Sequence, residues 1–377
     1  AAPMLRARAS SGCRSGPAMH SPTTRREGPR INGASRWPST SVECVRVFLT
    51  HNPEDRNAYY GRALPLLDRI ADVVQNPFDH DLSTVELIDA AQGCDVIVAH
   101  RSTPGEAALF ERLPSLVAFL RCAVDTSTID VDAASANGVL VARAGKTFVA
   151  STAELALGLL LDVARHITIS SAEYAAGRTP AQRPGRQLQG RTAGIIGFGS
   201  VGSHLAALLG AVGMQVLVHD PFVADPGVEG VDFVGFDELL RAADVVFPLA
   251  PGSAETENLI GAPELAAMQP GTLLINVSRG ELLDESAVAE ALRSGHLGGL
   301  GLDVGRAADQ RPSPELAELP GVVATPHLGG LTPENADAQA ASSVEQVEAI
   351  LAGNVPPRSL NAEHATRLHA LRDRTQR

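Results

Sequence analysis

The most specific chemical signal in the sequence is a glycine hexapeptide followed by an acidic residue. Gly197, Gly199 and Gly202 form a G-x-G-x-x-G pattern between a short apolar run and a helix-like stretch. The first glycine permits a tight turn, the second lets the backbone approach a pyrophosphate, and the third allows a helix to pack on a strand. Asp220 ends the next apolar run, where a carboxylate can bind the hydroxyls of an adenosine ribose. The pattern predicts a dinucleotide site that prefers NAD to NADP, because this carboxylate repels a 2′-phosphate.

Two further side chains could perform chemistry beside such a site. Arg279 and His327 each follow an apolar run, and the carboxyl ends of parallel strands face one crevice. The planar guanidinium of an arginine can hold a carboxylate and polarise a carbonyl. A histidine imidazole, with an ordinary pKa near ~6.5, can deliver a proton near neutrality. Together they predict hydride and proton transfer to a 2-keto acid. The alternatives are an arginine that only binds pyrophosphate and a histidine that only ends a strand.

The charge distribution argues against two classes of partner. The chain of 377 residues has a formal net charge of -12 and 44% hydrophobic residues. Residues 1–42 hold seven arginines and one glutamate, so the rest of the chain is more acidic still. Such a field repels nucleic acid phosphate and anionic lipid, and no apolar run approaches the ~18 residues that span a bilayer. We predict a globular protein that binds neither nucleic acid nor a membrane.

The 4 cysteines are scattered along the chain without a C-x-x-C pair. This spacing argues against a disulfide framework and a structural zinc, and it is typical of a reducing compartment. We therefore predict a cytoplasmic protein with no metal site. Residues 1–42 are rich in Arg, Ser, Pro and Gly and have no hydrophobic period, so we predict that they are disordered. A transit peptide and a start site placed too early are the alternatives for this segment.

Short apolar runs alternate with helix-like stretches along the remaining chain. The first half contains four strand-like runs, at 45–50, 94–99, 115–120 and 139–142. Helix-like stretches such as 57–72 and 83–91 separate them. Six more runs lie in the second half, at 192–198, 215–220, 244–250, 271–277, 298–304 and 321–327. This alternation predicts parallel β/α units. We therefore predict an α/β protein with two Rossmann-like, doubly wound parallel sheets.

Two long helices have recognisable starts. Ser151 and Glu154 match a capping box, in which both side chains cover exposed amides, and a long apolar stretch follows. We expect this helix to cross between two domains. Thr332 and Pro333 form the second start, with an N-cap threonine and a proline at the first helical position. This last helix should end near residue 352.

Two segments resemble the signatures of a known family. INVSRGELLDESAVAEAL, which contains Arg279, resembles the signature around the catalytic arginine of the D-isomer-specific 2-hydroxyacid dehydrogenases. ATPHLGG, which contains His327, resembles the signature around their catalytic histidine. The resemblance extends over residues 45–360 and is closest to the phosphoglycerate dehydrogenase-like members.

The resemblance implies a domain organisation as well as an activity. It implies a nucleotide domain, residues 151–330, inserted into a substrate domain made of residues 43–150 and 331–362. Residues 363–377 would then be a C-terminal tail. It further implies catalysis in the cleft between the domains, a small 2-keto or 2-hydroxy acid as substrate, NAD as cofactor, and a homodimer.

The same resemblance implies roles for individual residues. It implies that Asp303 contacts the nicotinamide carboxamide and that Ser200 and Val201 lie at the pyrophosphate. The whole cofactor-binding set that it implies is Gly197, Gly199, Ser200, Val201, Gly202, Asp220, Pro251, Val277, Ser278, Arg279, Asp303, His327, Gly329 and Gly330. It also implies that backbone amides at Ala123 and Val124 hold the substrate carboxylate, with Arg101 at the edge of the cleft.

One departure from the family pattern concerns the acid-base pair. The family has a glutamate five residues after the equivalent of Asp303, where it orients the histidine, but Ala308 stands there in this chain. Asp309, a candidate catalytic residue, or Gln310 could replace it. The missing glutamate leaves a second hypothesis open, an NAD-binding regulatory or scaffold protein with weak or lost catalysis. Formate dehydrogenase-like chemistry is a third hypothesis.

Two charged residues in loops remain open or are given a structural interpretation. Asp125 replaces a glycine of the family's substrate loop and would place an acid near the carboxylate pocket, so the sequence leaves the identity of the substrate open. Lys146, the single lysine of the chain, lies in a loop before Ser151. We interpret it as a solvated charge.

Overall fold

Five parallel strands form the first of two sheets. The structure, a computed structural model, describes residues 45–58, 60–223 and 227–375, so the predicted disordered segment 1–42 lies outside the described residues. The strand order is β2-β1-β3-β4-β5, and all neighbouring pairs are parallel. The strands are β1 Arg46–Leu49, β2 Asp72–Gln75, β3 Val96–Ala99, β4 Ala118–Arg121 and β5 Leu140–Arg143.

Short helices connect these strands, because parallel neighbours require crossover connections. They are α1 Pro53–Ala58, α2 Leu64–Leu67, α3 Thr84–Ala90, α4 Ala107–Arg112 and α5 Val131–Ala136. Helix α3 begins at a complete capping box, in which the hydroxyl of Ser83 accepts from the amide of Glu86 and the Glu86 carboxylate accepts from the amide of Ser83. The predicted helix at 83–91 is therefore confirmed.

The segment 57–72, predicted as one helix, was predicted wrongly. It contains the end of α1, a 3-10 helix Tyr60–Ala63, the short helix α2, and the first residue of β2. Pro65 lies in the first turn of α2, where a proline starts a new helix because its ring clashes with a preceding helical turn. Strand β2 was missed because its apolar residues, Val73 and Val74, are adjacent and half-buried in an edge strand, so no alternation marks it.

Seven parallel strands form the second sheet, in the order β12-β11-β10-β9-β6-β7-β8. The strands are β6 Thr192–Ile196, β7 Gln215–His219, β8 Val231–Phe233, β9 Val245–Pro248, β10 Thr272–Asn276, β11 Leu297–Leu302 and β12 Val322–Ala324. The connecting helices are α8 Ser200–Ala211, α9 Phe236–Ala242, α10 Ala262–Ala267, α11 Glu285–Arg293 and α12 Pro314–Ala317. All six predicted runs contain a strand, and β8 is an additional three-residue edge strand. The predicted fold class, two parallel α/β sheets, is confirmed.

Helix α6, Val149–Arg165, leads from the first sheet to the second. The capping box predicted at Ser151 is wrong, because the helix starts two residues earlier. Phe148 is the N-cap without a side-chain cap, and the Ser151 hydroxyl donates to the Phe148 carbonyl at 3.0 Å. Helix α6 ends at Arg165, and its C-cap His166 has a left-handed φ of 57°. Helix α7, Ile167–Ala175, follows at an angle of 70°.

In the described part of the chain, no single helix is long and apolar enough to span a membrane. The bent pair α6 and α7 is long and apolar enough only when the two helices are taken together. Leu159, Leu160 and Val163 of α6 pack in the core of the second sheet. The apolar character of α6 therefore has a packing explanation.

The last two helices pack on the first sheet. Helix α13, Pro333–Leu351, begins where the hydroxyl of Thr332 accepts from the amide of Asn335 at 3.2 Å, which confirms the predicted start. Residues 363–377, predicted as a tail, include α14 Thr366–Thr375. Its Leu368 and Leu371 are buried in the same core as β1 and β4. The burial of two leucines at helical spacing explains why this segment is folded.

Candidate active site

The glycine hexapeptide forms a close-packed turn with an open centre. Gly197 has a φ of 101°, and a Cβ there would lie 2.8 Å from the amide nitrogen of Ala250. A Cβ on Gly202 would lie 2.3 Å from the carbonyl oxygen of Gly197. A Cβ on Gly199, by contrast, would meet nothing within 4 Å. Only glycine therefore fits at the first and third positions, while the second borders free space.

This free space lies at the start of helix α8. Gly199 is the N-cap of α8 and has no side-chain cap, and the first amides of a helix lack partners within the helix. Amides and helix dipole together favour an anion at that position. The turn therefore fits the pyrophosphate of a dinucleotide. Ser200 and Val201 lie in the first turn of the helix, and their predicted place at the pyrophosphate stays a prediction.

Asp220 lies beside the same turn, directly after β7. Its Oδ2 atom accepts from the amide of Phe198 at 2.7 Å, and its Oδ1 atom accepts from the amide of Phe222 at 2.9 Å. The carboxylate is therefore held in a fixed orientation next to the glycine turn. Each carboxylate oxygen retains acceptor capacity after one such bond, so the geometry fits the predicted contact with ribose hydroxyls.

Arg279 follows β10 in a tight turn that a buried amide organises. The side chain of Asn276, fully buried at the end of β10, donates to the carbonyl of Arg279 at 2.8 Å and accepts from the amide of Ser278 at 3.0 Å. The hydroxyl of Ser278 donates to the carbonyl of Ala250 at 2.9 Å, which ties the turn to the end of β9. Asn276 thus fixes the backbone from which the Arg279 guanidinium projects. The sequence did not single it out.

His327 lies in a loop after β12 that Asp303 holds in place. The Asp303 carboxylate, 1% exposed, accepts from the Thr325 hydroxyl at 2.6 Å, the Leu328 amide at 2.7 Å and the Gly329 amide at 2.8 Å. His327 between them has a φ of 62°, a left-handed conformation that is uncommon outside glycine. Three hydrogen bonds to one buried carboxylate hold this conformation.

Asp303 therefore has a structural task that the sequence did not predict. Its amide donates to the carbonyl of Asn276 at 2.9 Å, so one chain of contacts connects the Arg279 turn, Asp303 and the His327 loop. Because β10, β11 and β12 are neighbours in the sheet, Arg279, Asp303 and His327 follow three adjacent strand ends. The predicted contact of Asp303 with the nicotinamide stays a prediction.

The segment that lacks the family glutamate forms the 3-10 helix Ala308–Gln310. Gln310 has a φ of 55°, and its carbonyl accepts from the amide of Gly305 at 2.9 Å. This bond closes the loop that follows β11. The side chain of Asp309 is outside the described part of the structure, so its predicted role beside His327 stays a prediction.

The strand ends of the first sheet carry the predicted substrate residues. Arg121, at the end of β4, is buried, and its guanidinium donates to the carbonyls of His100 and Thr103 at 2.5 and 2.8 Å and to the hydroxyl of Thr128 at 2.8 Å. It also donates to the carbonyl of Arg101. Burial lowers the pKa of Arg121 to about 10. Arg121 thus shapes the backbone on which the exposed Arg101 stands.

The predicted substrate loop follows Arg121. Ala123 and Val124 are half-buried and Asp125 is exposed, and the Asp125 carboxylate accepts from the amide of Ser127 at 2.9 Å. Partial burial raises the pKa of Asp125, but the hydrogen bonds from Ser127 and the charges of Arg279 and Arg121 outweigh burial and leave it below its ordinary value. Asp125 therefore carries its negative charge at neutral pH and lies in the field of Arg279.

The remaining cofactor residues of the sequence analysis lie around the same edge. Pro251 follows β9, and its carbonyl accepts from the Thr256 hydroxyl at 2.7 Å. Val277 is buried in the core of the second sheet. A Cβ on Gly329 would lie 3.1 Å from Asp303, and one on Gly330 3.3 Å from Asn335, so both glycines allow close packing behind the His327 loop.

The two parallel sheets place a glycine turn, a fixed carboxylate, an arginine and a histidine at their strand ends. This arrangement is typical of dinucleotide-binding α/β proteins. The family model for the D-isomer specific 2-hydroxyacid dehydrogenase NAD binding domain matches residues 157–329. The D-3-phosphoglycerate dehydrogenase of Mycobacterium leprae is 37% identical over 281 residues, which cover 74% of this chain and 53% of that protein. The glyoxylate reductase of Thermococcus litoralis is 32% identical over 292 residues, which cover 74% of this chain and 87% of the reductase.

A solved structure supports the same assignment. A Polaromonas protein described as a D-isomer specific 2-hydroxyacid dehydrogenase superposes with a TM-score of 0.78 and 27% identity, over 84% of this chain and 99% of the other. This chain belongs to the D-isomer specific 2-hydroxyacid dehydrogenase family and contains its NAD-binding domain. It spans about half the length of the phosphoglycerate dehydrogenases that it matches.

Proposed function

We propose that the chain catalyses the NAD-dependent interconversion of a D-2-hydroxy acid and the corresponding 2-keto acid. The observation that supports this most directly is the placement of Arg279 and His327 after two of three adjacent strands of the sheet that carries the glycine turn. When bound, the nicotinamide cofactor supplies or accepts the hydride. The protein has to hold the acid, polarise its carbonyl and move one proton.

Each of these tasks falls to a residue of this chain. The Arg279 guanidinium binds the substrate carboxylate and draws electron density from the neighbouring carbonyl oxygen. His327 gives its proton to that oxygen during reduction and takes it back during oxidation. Asp303 and Asn276 are positioning residues, because they fix the two turns from which His327 and Arg279 project. Asp309 is the proposed partner that orients the imidazole.

We propose a small 2-keto or 2-hydroxy acid as the substrate. The amides of Ala123 and Val124 and the cation of Arg101 form the first-sheet side of its pocket. Asp125 carries a negative charge toward this pocket and weakens the local positive field. The chain therefore has less attraction for a second substrate carboxylate than a glycine in the same loop would allow.

We propose that residues 151–330 act as the nucleotide domain and that residues 43–150 and 331–362, together with helix α14, form the substrate domain. The hydrophobic cores support this division, since β1, β4 and β5 share a core with α13. Helix α6 shares a second core with β6 and β10. NAD is the preferred cofactor because of Asp220.

We further propose a homodimer in the cytoplasm. Four large apolar residues of α6 and α7 are exposed in the single chain, and these are Leu161, Ile167, Ile169 and Tyr174. Several exposed apolar side chains on two consecutive helices are compatible with an interface between subunits. Light scattering should give twice the chain mass of 39.3 kDa, and Ile169→Glu should lower it. The buried free thiols Cys94 and Cys122 are compatible with a reducing compartment.

The activity can be tested by following NADH absorbance with a panel of 2-keto acids. Glyoxylate, hydroxypyruvate, pyruvate, phosphohydroxypyruvate and bulkier acids should be compared, and one of them should be reduced with a kcat/KM above about 10⁴ M⁻¹ s⁻¹. Chiral analysis of the product should show the D isomer. Tight NADH binding without turnover on any acid would contradict the proposal and favour a regulatory or scaffold role.

A further inference from the structure

The loop that precedes helix α6 brings a cation to the glycine turn. Lys146 is the single lysine of the chain, and its exposed side chain donates from Nζ to the Ser200 hydroxyl at 3.3 Å. Ser200 is the first residue of α8 and directly follows Gly199. The side chain is exposed, as interpreted from the sequence, and its ammonium contacts the first residue of the helix that opens at the glycine turn.

The backbone on both sides of Lys146 is held by residues that belong with the first sheet. The Ala144 amide donates to the carbonyl of Ala123 in the substrate loop at 3.2 Å. The Thr147 hydroxyl donates to the side chain of Asn335 near the start of α13. Lys146 therefore lies in a short segment anchored on either side, and four methylene groups carry its ammonium to the start of α8.

The charges near the glycine turn favour an additional cation there. The two phosphates of a dinucleotide carry negative charge, and residues 197–202, GFGSVG, include no basic residue. Asp220 adds a negative charge beside the turn, and the chain as a whole has a formal net charge of -12. Backbone amides and a helix dipole offset only part of this repulsion.

We propose that Lys146 is a cofactor-binding residue whose ammonium pairs with the pyrophosphate of the dinucleotide above Ser200. The phosphate site is then shared, because amides come from the second sheet and the cation comes from the loop that follows the first sheet. This inference rests on the NAD binding included in the proposed function. It adds a residue that lies outside residues 157–329, the part matched by the family's NAD-binding domain.

A phosphate on the substrate could use the same ammonium, since the chemistry is the same. We commit to the pyrophosphate because Ser200, the partner of Lys146, opens the helix at the glycine turn. ADP-ribose separates the two sources: it contains the pyrophosphate but neither nicotinamide nor substrate.

The experiment measures binding to the full chain and to three variants. NADH affinity is followed by fluorescence and ADP-ribose affinity by calorimetry, for the unmutated chain, Lys146→Met, Lys146→Arg and Arg112→Met. Arg112 is an exposed cation at the end of α4, so its replacement changes the net charge equally away from the glycine turn. Lys146→Met should weaken both ligands about tenfold, the loss expected for a charge-assisted hydrogen bond.

The two other variants should behave differently. Lys146→Arg should keep affinity within about threefold, because the charge is retained, and Arg112→Met should leave it unchanged. Added salt should weaken ADP-ribose binding to the unmutated chain more than to Lys146→Met. Thermal melting should be similar for all four proteins, since Lys146 is exposed.

Three results would overturn the assignment. The first is that Lys146→Met binds ADP-ribose as tightly as the unmutated chain. The second is that Arg112→Met weakens ADP-ribose binding as much as Lys146→Met does, which would mean that only the net charge matters. A loss confined to kcat/KM for a phosphorylated acid would assign Lys146 to the substrate instead. An unmutated chain that binds ADP-ribose but reduces none of the acids would contradict the proposed activity and leave Lys146 at the pyrophosphate.

Discussion

The strand ends of the two sheets use charged residues in different ways. In the second sheet, buried Asn276 and Asp303 fix two turns and leave Arg279 and His327 to project from them. In the first sheet, the arginine at a strand end, Arg121, is itself buried among carbonyl oxygens. The edge of the second sheet therefore keeps Asn276 and Asp303 buried and presents the candidate catalytic residues. The edge of the first sheet uses its arginine to shape a loop. In the proposed function, the edge of the second sheet performs the chemistry and the edge of the first sheet selects the acid.

The comparison predicts that the largest catalytic loss comes from the second sheet. His327→Ala should lower kcat for reduction by about 10²- to 10⁴-fold, the usual contribution of a positioned general acid, because no proton reaches the carbonyl oxygen. NADH affinity should change less than threefold, since the glycine turn is untouched. Stopped-flow reduction and fluorescence titration measure the two effects. Full turnover in this variant would show that the family mechanism does not apply to this chain.

On the first sheet, the largest effect should be on stability rather than on chemistry. Arg121→Leu removes the donor to the carbonyls of His100, Arg101 and Thr103 and leaves these acceptors without it. The free energy of unfolding, measured by urea denaturation, should fall by about 3–5 kcal/mol, since each buried acceptor left unsatisfied costs about 1–3 kcal/mol. Arg112→Leu, at an exposed position, should change it by less than about 0.5 kcal/mol. Equal stability of the two variants would mean that Arg121 does not have the structural role assigned to it.

The difference between the two edges also explains what the sequence could predict. The residues at the edge of the second sheet were predictable because local spacing marks them. An apolar run that is a strand precedes each of them, namely the turn Gly197 to Gly202, Arg279 and His327. Arg121 and Asn276 were not assigned roles because their partners are distant in sequence or are backbone groups. A buried arginine that bonds carbonyl oxygens has the same sequence appearance as one that binds substrate.

Asp303 links chemistry and stability, so its replacement sharpens the comparison. Asp303→Asn should lower the free energy of unfolding by about 1–3 kcal/mol, because an amide cannot accept all the bonds from Thr325, Leu328 and Gly329 and brings a donor toward them. Reduction should slow about tenfold or more as the His327 loop loosens. Thr325→Val, which removes only one of the bonds, should have the smaller effect on both urea denaturation and kcat. The reverse ranking would contradict the positioning role.

The preference between NAD and NADP tests the role of Asp220 at the edge of the second sheet. Asp220→Ser should reduce the preference for NAD over NADP roughly tenfold, equivalent to about 1.4 kcal/mol, because it removes a charge that repels a 2′-phosphate. The ratio of kcat/KM for NADH and NADPH measures it. Equal values for both cofactors in the unmutated chain would remove Asp220 from its assigned place at the ribose.

The start of α6 and the existence of α14 could not be predicted from local sequence. The capping box at Ser151 was wrong because α6 begins at Val149, and only the packed helix shows which of two neighbouring starts is used. The helix α14 was missed because its burial depends on the first sheet, to which Leu368 and Leu371 return after more than two hundred residues. Tertiary packing, rather than local propensity, decided both cases.

The smallest expected effect concerns the partner of His327 and separates two structures for the acid-base pair. Reduction consumes a proton, so kcat/KM for reduction should fall as pH rises through the apparent pKa of the proton donor. A neighbouring carboxylate stabilises an imidazolium and moves that pKa upward. Asp309→Asn should therefore shift the falling limb of the reduction profile to lower pH, with little change in the rate at acidic pH.

Gln310→Ala is the matched control for this measurement, because Gln310 lies in the same 3-10 helix but cannot carry a charge. It should leave the limb in place if Asp309 is the partner. An unchanged profile in Asp309→Asn would mean that the imidazole works with another group. The chain would then lack the acid that the family places beside its histidine. The edge of the second sheet would supply Arg279 to bind the carboxylate and His327 to donate the proton, without a third residue that shifts the pH dependence of the reaction.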